Sequence, residues 1–243
     1  MAIRFREWIA PRFRRVRQFQ HETNLFRKLK GLGYDPAVVY DIGASNGVWS
    51  DTIALVQPDS EYHLFEALAD VVDFYRQGLA ERLQRRPRFH LHPVALGDRP
   101  GTAEFFVTHD GFGSSMLDRG DIPEVKQQIR IPRATLDDYI AEHSLPLPNV
   151  IKIDCQGAER LILEGGSAAL EQADMVLLET WFERGYGPDT PLLGEMIEYL
   201  KQRAFLLVET GEKFYGDRGK LYSIDAFFFS DKFSQRFVLP QDR

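Results

Sequence analysis

The sequence predicts an α/β fold, a mostly parallel sheet with helices on both faces, and three observations carry that reading. First, Val38–Val39–Tyr40–Asp41–Ile42–Gly43–Ala44–Ser45–Asn46–Gly47 is an apolar run that ends abruptly in an acid and two glycines spaced by four. Second, Val48, Trp49, Ile53 and Val56 follow at helical spacing, so the order is strand, glycine loop, helix. Third, strand-like runs and helical patterns alternate from residue 37 onward. The chain has 243 residues, 44% of them hydrophobic, which is enough for one sizeable core.

Residues 1–30 form a basic extension before a single domain spanning 31–243. They carry nine Lys/Arg against two acids, so the remainder is strongly acidic if the whole chain sums to −6. An acidic body argues against a nucleic-acid substrate. Within the extension Phe5, Ile9, Phe13, Val16, Phe19, Phe26 and Leu29 recur at near-helical spacing, divided by Pro11. Such a stripe suits packing on its own domain or on a second subunit, which is the favoured reading, or contact with an anionic membrane surface or a partner protein. No apolar run approaches the length of a membrane span. The single cysteine, Cys155, excludes an internal disulfide and suits a reducing, cytoplasmic setting.

The later elements follow in order. Glu61–Glu66 reads as the second strand and residues 68–84 as a helix, with a third strand over Phe89–Leu96. Pro93 sits awkwardly inside that strand and predicts a bulge or an early end. Residues 98–134 interrupt the alternation with a short strand, Thr102–Val107, and a Gly/Ser-rich stretch, His109–Ser115, of the kind that binds substrates. Thr135 with Asp138 caps the next helix. A strand ends in Asp154, Gly157 turns the chain into a helix reaching about Leu170, and Met175–Glu179 is strand five. A helix over about 189–202 and two antiparallel strands, near Phe205–Glu209 and Ile224–Phe229, complete the chain.

On this sheet Asp41, Glu66, Asp98, Asp154 and Glu179 each fall at or just past a strand's C-terminal end, where open α/β sheets bind ligands. Converging acids call for cations or hydroxyl-rich groups. The glycine loop aims helix N–H groups at its ligand, and a side chain at Gly43 would stand in the ligand's path. A dinucleotide fingerprint, Gly-x-Gly-x-x-Gly, has its first two glycines two apart; here Ala44 occupies the middle and the spacing is Asp-x-Gly-x-x-x-Gly, which disfavours a nucleotide-dependent oxidoreductase or epimerase.

Four motifs then resemble one family. They are Val39–Gly47, Val94–Ala95–Leu96–Gly97–Asp98, Thr135–Leu136–Asp137–Asp138 and, most specifically, Ile151–Lys152–Ile153–Asp154–Cys155–Gln156–Gly157–Ala158–Glu159. Over about residues 36–230 the chain resembles the FkbM-type S-adenosylmethionine (SAM)-dependent methyltransferases, whose central motif often carries Glu where Gln156 stands. The resemblance implies a Rossmann-like class I methyltransferase fold with seven strands in the order 3-2-1-4-5-7-6, strand seven antiparallel. It implies methyl transfer from SAM to a hydroxyl oxygen of a small molecule, sugar or glycan. By family position Asp41, Gly43, Ala44, Asn46 and Gly47 surround the methionine part of SAM, Glu66 holds the ribose hydroxyls, and Ala95 and Leu96 border the adenine. A non-catalytic scaffold of the same fold is the alternative from another class.

A hydroxyl acceptor has to lose its proton, so a base within hydrogen-bond reach helps. Asp154 is the leading candidate, against a structural role holding the SAM ammonium or capping a helix. Glu159 and Lys152 complete the catalytic set. For Glu159 the structural reading, a dipole-stabilised acid in a first helical turn, is ahead, and for Lys152 a pair with a carboxylate is the plain expectation. His109 is an alternative base, and Glu179 and Trp181 line the acceptor pocket or close the core. No histidine shows metal-ligand spacing with another histidine or with Cys155. Asp154 with Glu179 offers hard oxygen ligands but no dedicated loop, so no metal is assigned.

Overall fold

The computed structural model describes residues 19–109, 111–118, 125–216 and 219–237. The basic residues Arg4 to Arg17, the stripe residues Phe5, Ile9, Phe13 and Val16, and Asp110 lie outside the described residues. The elements in chain order are α1 (Gln20–Gly31), β1 (Val38–Ile42), α2 (Val48–Ile53), β2 (Glu61–Phe65), α3 (Asp73–Arg85), β3 (Phe89–His92), β4 (Ala95–Leu96), β5 (Gly101–Thr108), β6 (Val125–Ala134) and α4 (Leu136–His143). They continue as β7 (Val150–Ile153), α5 (Glu159–Glu164), α6 (Ser167–Gln172), β8 (Met175–Trp181), α7 (Leu193–Lys201), β9 (Phe205–Tyr215), β10 (Leu221–Ser230) and α8 (Asp231–Arg236).

The main sheet runs β3-β2-β1-β7-β8-β10-β9, which is the order 3-2-1-4-5-7-6 that the resemblance implies. β1 pairs in parallel with both β2 and β7, and β10 is antiparallel to β8 and β9. The central strands are buried along their whole length, as their unbroken apolar runs require. Strand order reverses between β1 and β7, so a crevice opens at the carboxyl ends of β1, β2 and β7.

Two apolar layers flank the sheet. One holds Leu25, Phe26 and Leu29 of α1 with Trp49, Leu64 and Phe227. The other holds Ile151, Ile153, Leu163, Met196 and Phe228. Phe26 meets Trp49 edge-to-face at 6.4 Å, so the described part of the N-terminal segment packs into the core.

Three local expectations need correction. The strand expected over Phe89–Leu96 is two strands: β3 stays in the main sheet, while β4, beyond Pro93, pairs with β6 in a separate three-stranded sheet, β4-β6-β5. Proline cannot donate to the ladder, and the chain changes sheets there. The interruption over 98–134 contains a second strand, β6, that polarity conceals: of Val125–Ala134 only Ile131 is buried. The helix expected to reach Leu170 is two helices, α5 and α6, separated at Gly165–Gly166. The cap on α4 forms as expected, with Asp138 N–H donating to Thr135 Oγ1 at 3.1 Å.

Candidate active site

The crevice is lined by backbone and polar groups of Gly43, Ser45, Glu66, Asp154 and Gln156. Its apolar and aromatic lining includes Tyr75, Ala95, Leu96, Phe105, Phe112 and Met116. Of the residues expected to contact the cofactor, the fold brings Gly43, Glu66, Ala95, Leu96 and Asp154 to this one cleft. The Gly/Ser-rich stretch of the insertion also reaches it, through Gly111 to Ser114.

The loop after β1 is shaped by its contacts with β2. Gly43 and Ala44 both donate to the Phe65 carbonyl, at 2.9 and 3.1 Å. Gly43 has a positive φ of 76°. A Cβ placed there would lie 2.0 Å from the backbone oxygen of Asp154. Gly43 is therefore demanded by the protein's own neighbouring loop as well as by its place on the cleft. Gly47, at φ 79°, starts α2.

Glu66 is buried against this loop. Its Oε2 accepts from Ser45 N–H at 2.7 Å and its Oε1 from Leu68 N–H at 2.9 Å. Burial pushes its carboxyl up to about 7, while these backbone donors pull it back. Each carboxylate oxygen carries two lone pairs, so both keep capacity for hydroxyl donors in the cleft.

Beneath the loop lies an ion pair. Asp41 and Lys152 are cross-strand partners on β1 and β7, with Lys152 Nζ 3.0 Å from Asp41 Oδ1. The same ammonium donates to Gly43 O at 3.1 Å, and Ser50 Oγ donates to Asp41 Oδ2 at 2.7 Å. Burial opposes the Lys152 charge, but Asp41 and Asp154 outweigh it, so the ammonium is held above its ordinary value. Asp41 and Lys152 thus support the loop from below. Neither they nor Ala44, Asn46 and Gly47 line the cleft. Asn46 instead accepts from Val48 N–H and from Arg82, fixing the start of α2.

At the end of β7 the Asp154 side chain is 42% exposed on the cleft wall, with Oδ2 3.7 Å from Lys152 Nζ. The Gln156 side-chain amide donates to Asp154 Oδ1 at 2.8 Å and to Glu179 Oε2 at 2.9 Å. Its own carbonyl oxygen accepts from the Tyr186 hydroxyl. Ser223 Oγ donates to the other Glu179 oxygen at 3.0 Å. Burial first, then the charge of Asp154, holds the Glu179 carboxyl well above its usual range. One neutral amide therefore keeps two carboxylates side by side. Gln156 sits at φ 54°, a left-handed backbone conformation that non-glycine residues adopt at a cost.

Glu159 is fully buried and does not reach the cleft. Its Oε1 accepts from Cys155 N–H at 3.0 Å and Gly157 N–H at 3.1 Å, so it ties together the turn that carries Asp154 and Gln156. Asp98 departs from the expected ring of acids. It lies beyond β4, in the small sheet, and faces Arg99 and Arg133 at 3.4 and 3.6 Å. His109 is exposed, and Trp181 is buried against Tyr186 and Tyr222.

Sequence reasoning missed the bridge between Gln156 and Tyr186, and missed Ser223, Glu22 and Asp225 altogether. Burial raises the Glu22 carboxyl on α1 to about 7, and Asp225 is raised by burial and by the charges of Glu22 and Asp154. Only the polar residues embedded in otherwise apolar β10 signal this in the sequence.

The Methyltransferase FkbM domain model matches residues 41–207. The 2-O-methyltransferase NoeI of Sinorhizobium fredii is 25% identical over 171 residues, 65% of this chain and 68% of that protein. The hexuronic acid methyltransferase AglP of Haloferax volcanii is 23% identical over 180 residues, 73% of this chain and 70% of that protein. Among solved structures, a methyltransferase FkbM from Methylobacillus flagellatus superposes with a TM-score of 0.50 at 17% identity, over 80% of this chain and 43% of that one. The magnesium protoporphyrin IX methyltransferase ChlM of Synechocystis, solved with bound SAH, also gives 0.50, at 12% identity over 93% of this chain and 90% of that one. These structures share the Rossmann-like methyltransferase fold, and the match over residues 41–207 places this chain in the FkbM methyltransferase family.

Proposed function

We propose that this protein transfers a methyl group from SAM to a hydroxyl oxygen of a sugar or glycan. The methyltransferase class and the SAM requirement follow from the family; the hydroxyl acceptor is our reading. NoeI, a 2-O-methyltransferase, and AglP, a hexuronic acid methyltransferase, support it. The observation that carries it is the Asp154 carboxylate, exposed on the cleft wall and held in place by Gln156.

The cleft suits the cofactor's chemistry. A buried carboxylate with spare lone pairs, Glu66, fits vicinal ribose hydroxyls, and the apolar wall of Ala95, Leu96 and Phe105 fits a flat aromatic base. The acids facing the cleft fit a cationic ligand. When bound, SAM supplies an electrophilic methyl group on a sulfonium.

This chain's residues do the rest. Asp154 Oδ2 accepts the proton of the acceptor hydroxyl as the oxygen attacks. Gln156 occupies Oδ1 and so aims the carboxylate. Lys152 Nζ lies 3.7 Å from Asp154 Oδ2 and places a positive charge beside the carboxylate. Glu159 and Gly43 fix the two loops between which donor and acceptor meet, so positioning contributes alongside the base.

The test is methyl transfer from SAM to a panel of sugars and uronic acids, with wild type and Asp154→Asn compared for turnover and SAM affinity. The expected loss is about 10²–10⁴-fold in kcat with SAM affinity retained. Weakened SAM binding with turnover restored at high SAM would reassign Asp154 to the SAM ammonium.

A further inference from the structure

Away from the cleft, the parallel pairing of β2 with β3 sets His63 beside His90 in register, and Glu61 shares the His63 face of β2. Potential ligand atoms of Glu61, His63 and His90 all lie within 4.8 Å of one another. His63 is buried, Glu61 is half-buried and His90 is exposed, so the cluster opens to solvent on one side. None of the three lines the cleft. The two histidines are far apart in sequence, which is why spacing alone concealed the pair.

His63 makes this more than a chance grouping. Its Nδ1 lies 2.9 Å from His92 Nε2, and His92 Nδ1 in turn lies 3.4 Å from the Tyr139 hydroxyl. Its other nitrogen, Nε2, is buried and has no hydrogen-bond partner. A buried ring nitrogen without a partner is costly, so the arrangement calls for a ligand there. With the proton on Nδ1, donated to His92, Nε2 presents a lone pair. An imidazole oriented through its second nitrogen is the usual support for a metal ligand.

We propose that Glu61, His63 Nε2 and His90 form a binding site for a borderline divalent cation of the zinc class. Two imidazoles and one carboxylate select such an ion over magnesium or calcium, which take oxygen ligands. Bonds of about 2.0–2.1 Å require the ligands to draw closer than they stand. His63 is fixed by packing, so Glu61 and His90, the two with solvent access, make that movement. The bound ion clamps the edge strand β3 to β2 and leaves a coordination position open to water.

The experiment is calorimetric titration of the untagged, chelator-stripped full-length protein with Zn²⁺, alongside Co²⁺ absorption spectra. The expected result is one saturable ion per chain, a tetrahedral cobalt spectrum and a raised melting temperature. His90→Ala and Glu61→Gln should each abolish the saturable binding, while His109→Ala should leave it unchanged. His92→Gln, which removes the support for His63, should weaken binding by about 10–100-fold. The proposal fails if no saturable binding occurs at millimolar Zn²⁺, or if His90→Ala and Glu61→Gln bind as wild type does. SAM binding, read separately, is expected to be the same with and without Zn²⁺.

Discussion

The backbone oxygen of Asp154 stands 2.0 Å from the position a Cβ on Gly43 would take. The loop after β1 and the loop after β7 are therefore packed backbone to backbone, and the cleft wall they share has no slack. Gly43→Ala should cost about 1–3 kcal/mol, because it adds a clash to a positive φ that alanine adopts poorly. Urea denaturation measures this directly. A variant as stable as wild type would mean that the two loops are less tightly joined than this contact requires.

Gln156 donates to both Asp154 and Glu179, and a carboxylate in its place removes the donor and adds a third negative charge. Like charges raise one another's pKa values, so Gln156→Glu should move the acid limb of the pH–kcat/KM profile upward. Stability should fall as well, because the third carboxyl loses the amide's two hydrogen bonds. An unshifted profile would separate Gln156 from the function of Asp154.

Glu159 provides a pH signature of stability. Burial raises its carboxyl from 4.5 to about 7, with the Gly157 and Cys155 N–H groups opposing the shift. The folded chain thus holds a proton between about pH 4.5 and 7 that the unfolded chain releases. Its stabilising contribution is fully present below pH 4.5 and is lost as pH rises through 7. Glu159→Gln does not titrate, so the stability of wild type relative to this variant should decline from pH 5 to pH 8. Chemical denaturation at several pH values checks it, and a difference that stays constant would place the Glu159 carboxyl outside that range.

Much of this was legible in the chain because the informative residues sit in local patterns. The Asp41–Gly47 loop, the strand leading to Asp154 and the cap at Thr135 are each written within about ten residues of sequence. β6 was not legible, since a largely exposed strand lacks the alternation that betrays a half-buried one. Asp98 misled for a related reason: the acid follows a strand, but that strand belongs to the small sheet. The Gln156–Tyr186 contact, Ser223 beside Glu179 and the Glu22 carboxylate of α1 arise from long-range folding that no local spacing encodes. His63 and His90 are another such pair, matched only by strand register.

Calorimetry with SAM, its demethylated product and NAD, on wild type and Glu66→Ala, tests the central claim most directly. Glu66 faces the cleft with lone pairs to spare, so SAM and its product should bind wild type. Glu66→Ala should weaken both, and NAD should give no signal. Tight NAD binding without SAM binding, or SAM binding indifferent to Glu66, would contradict this account of the cleft.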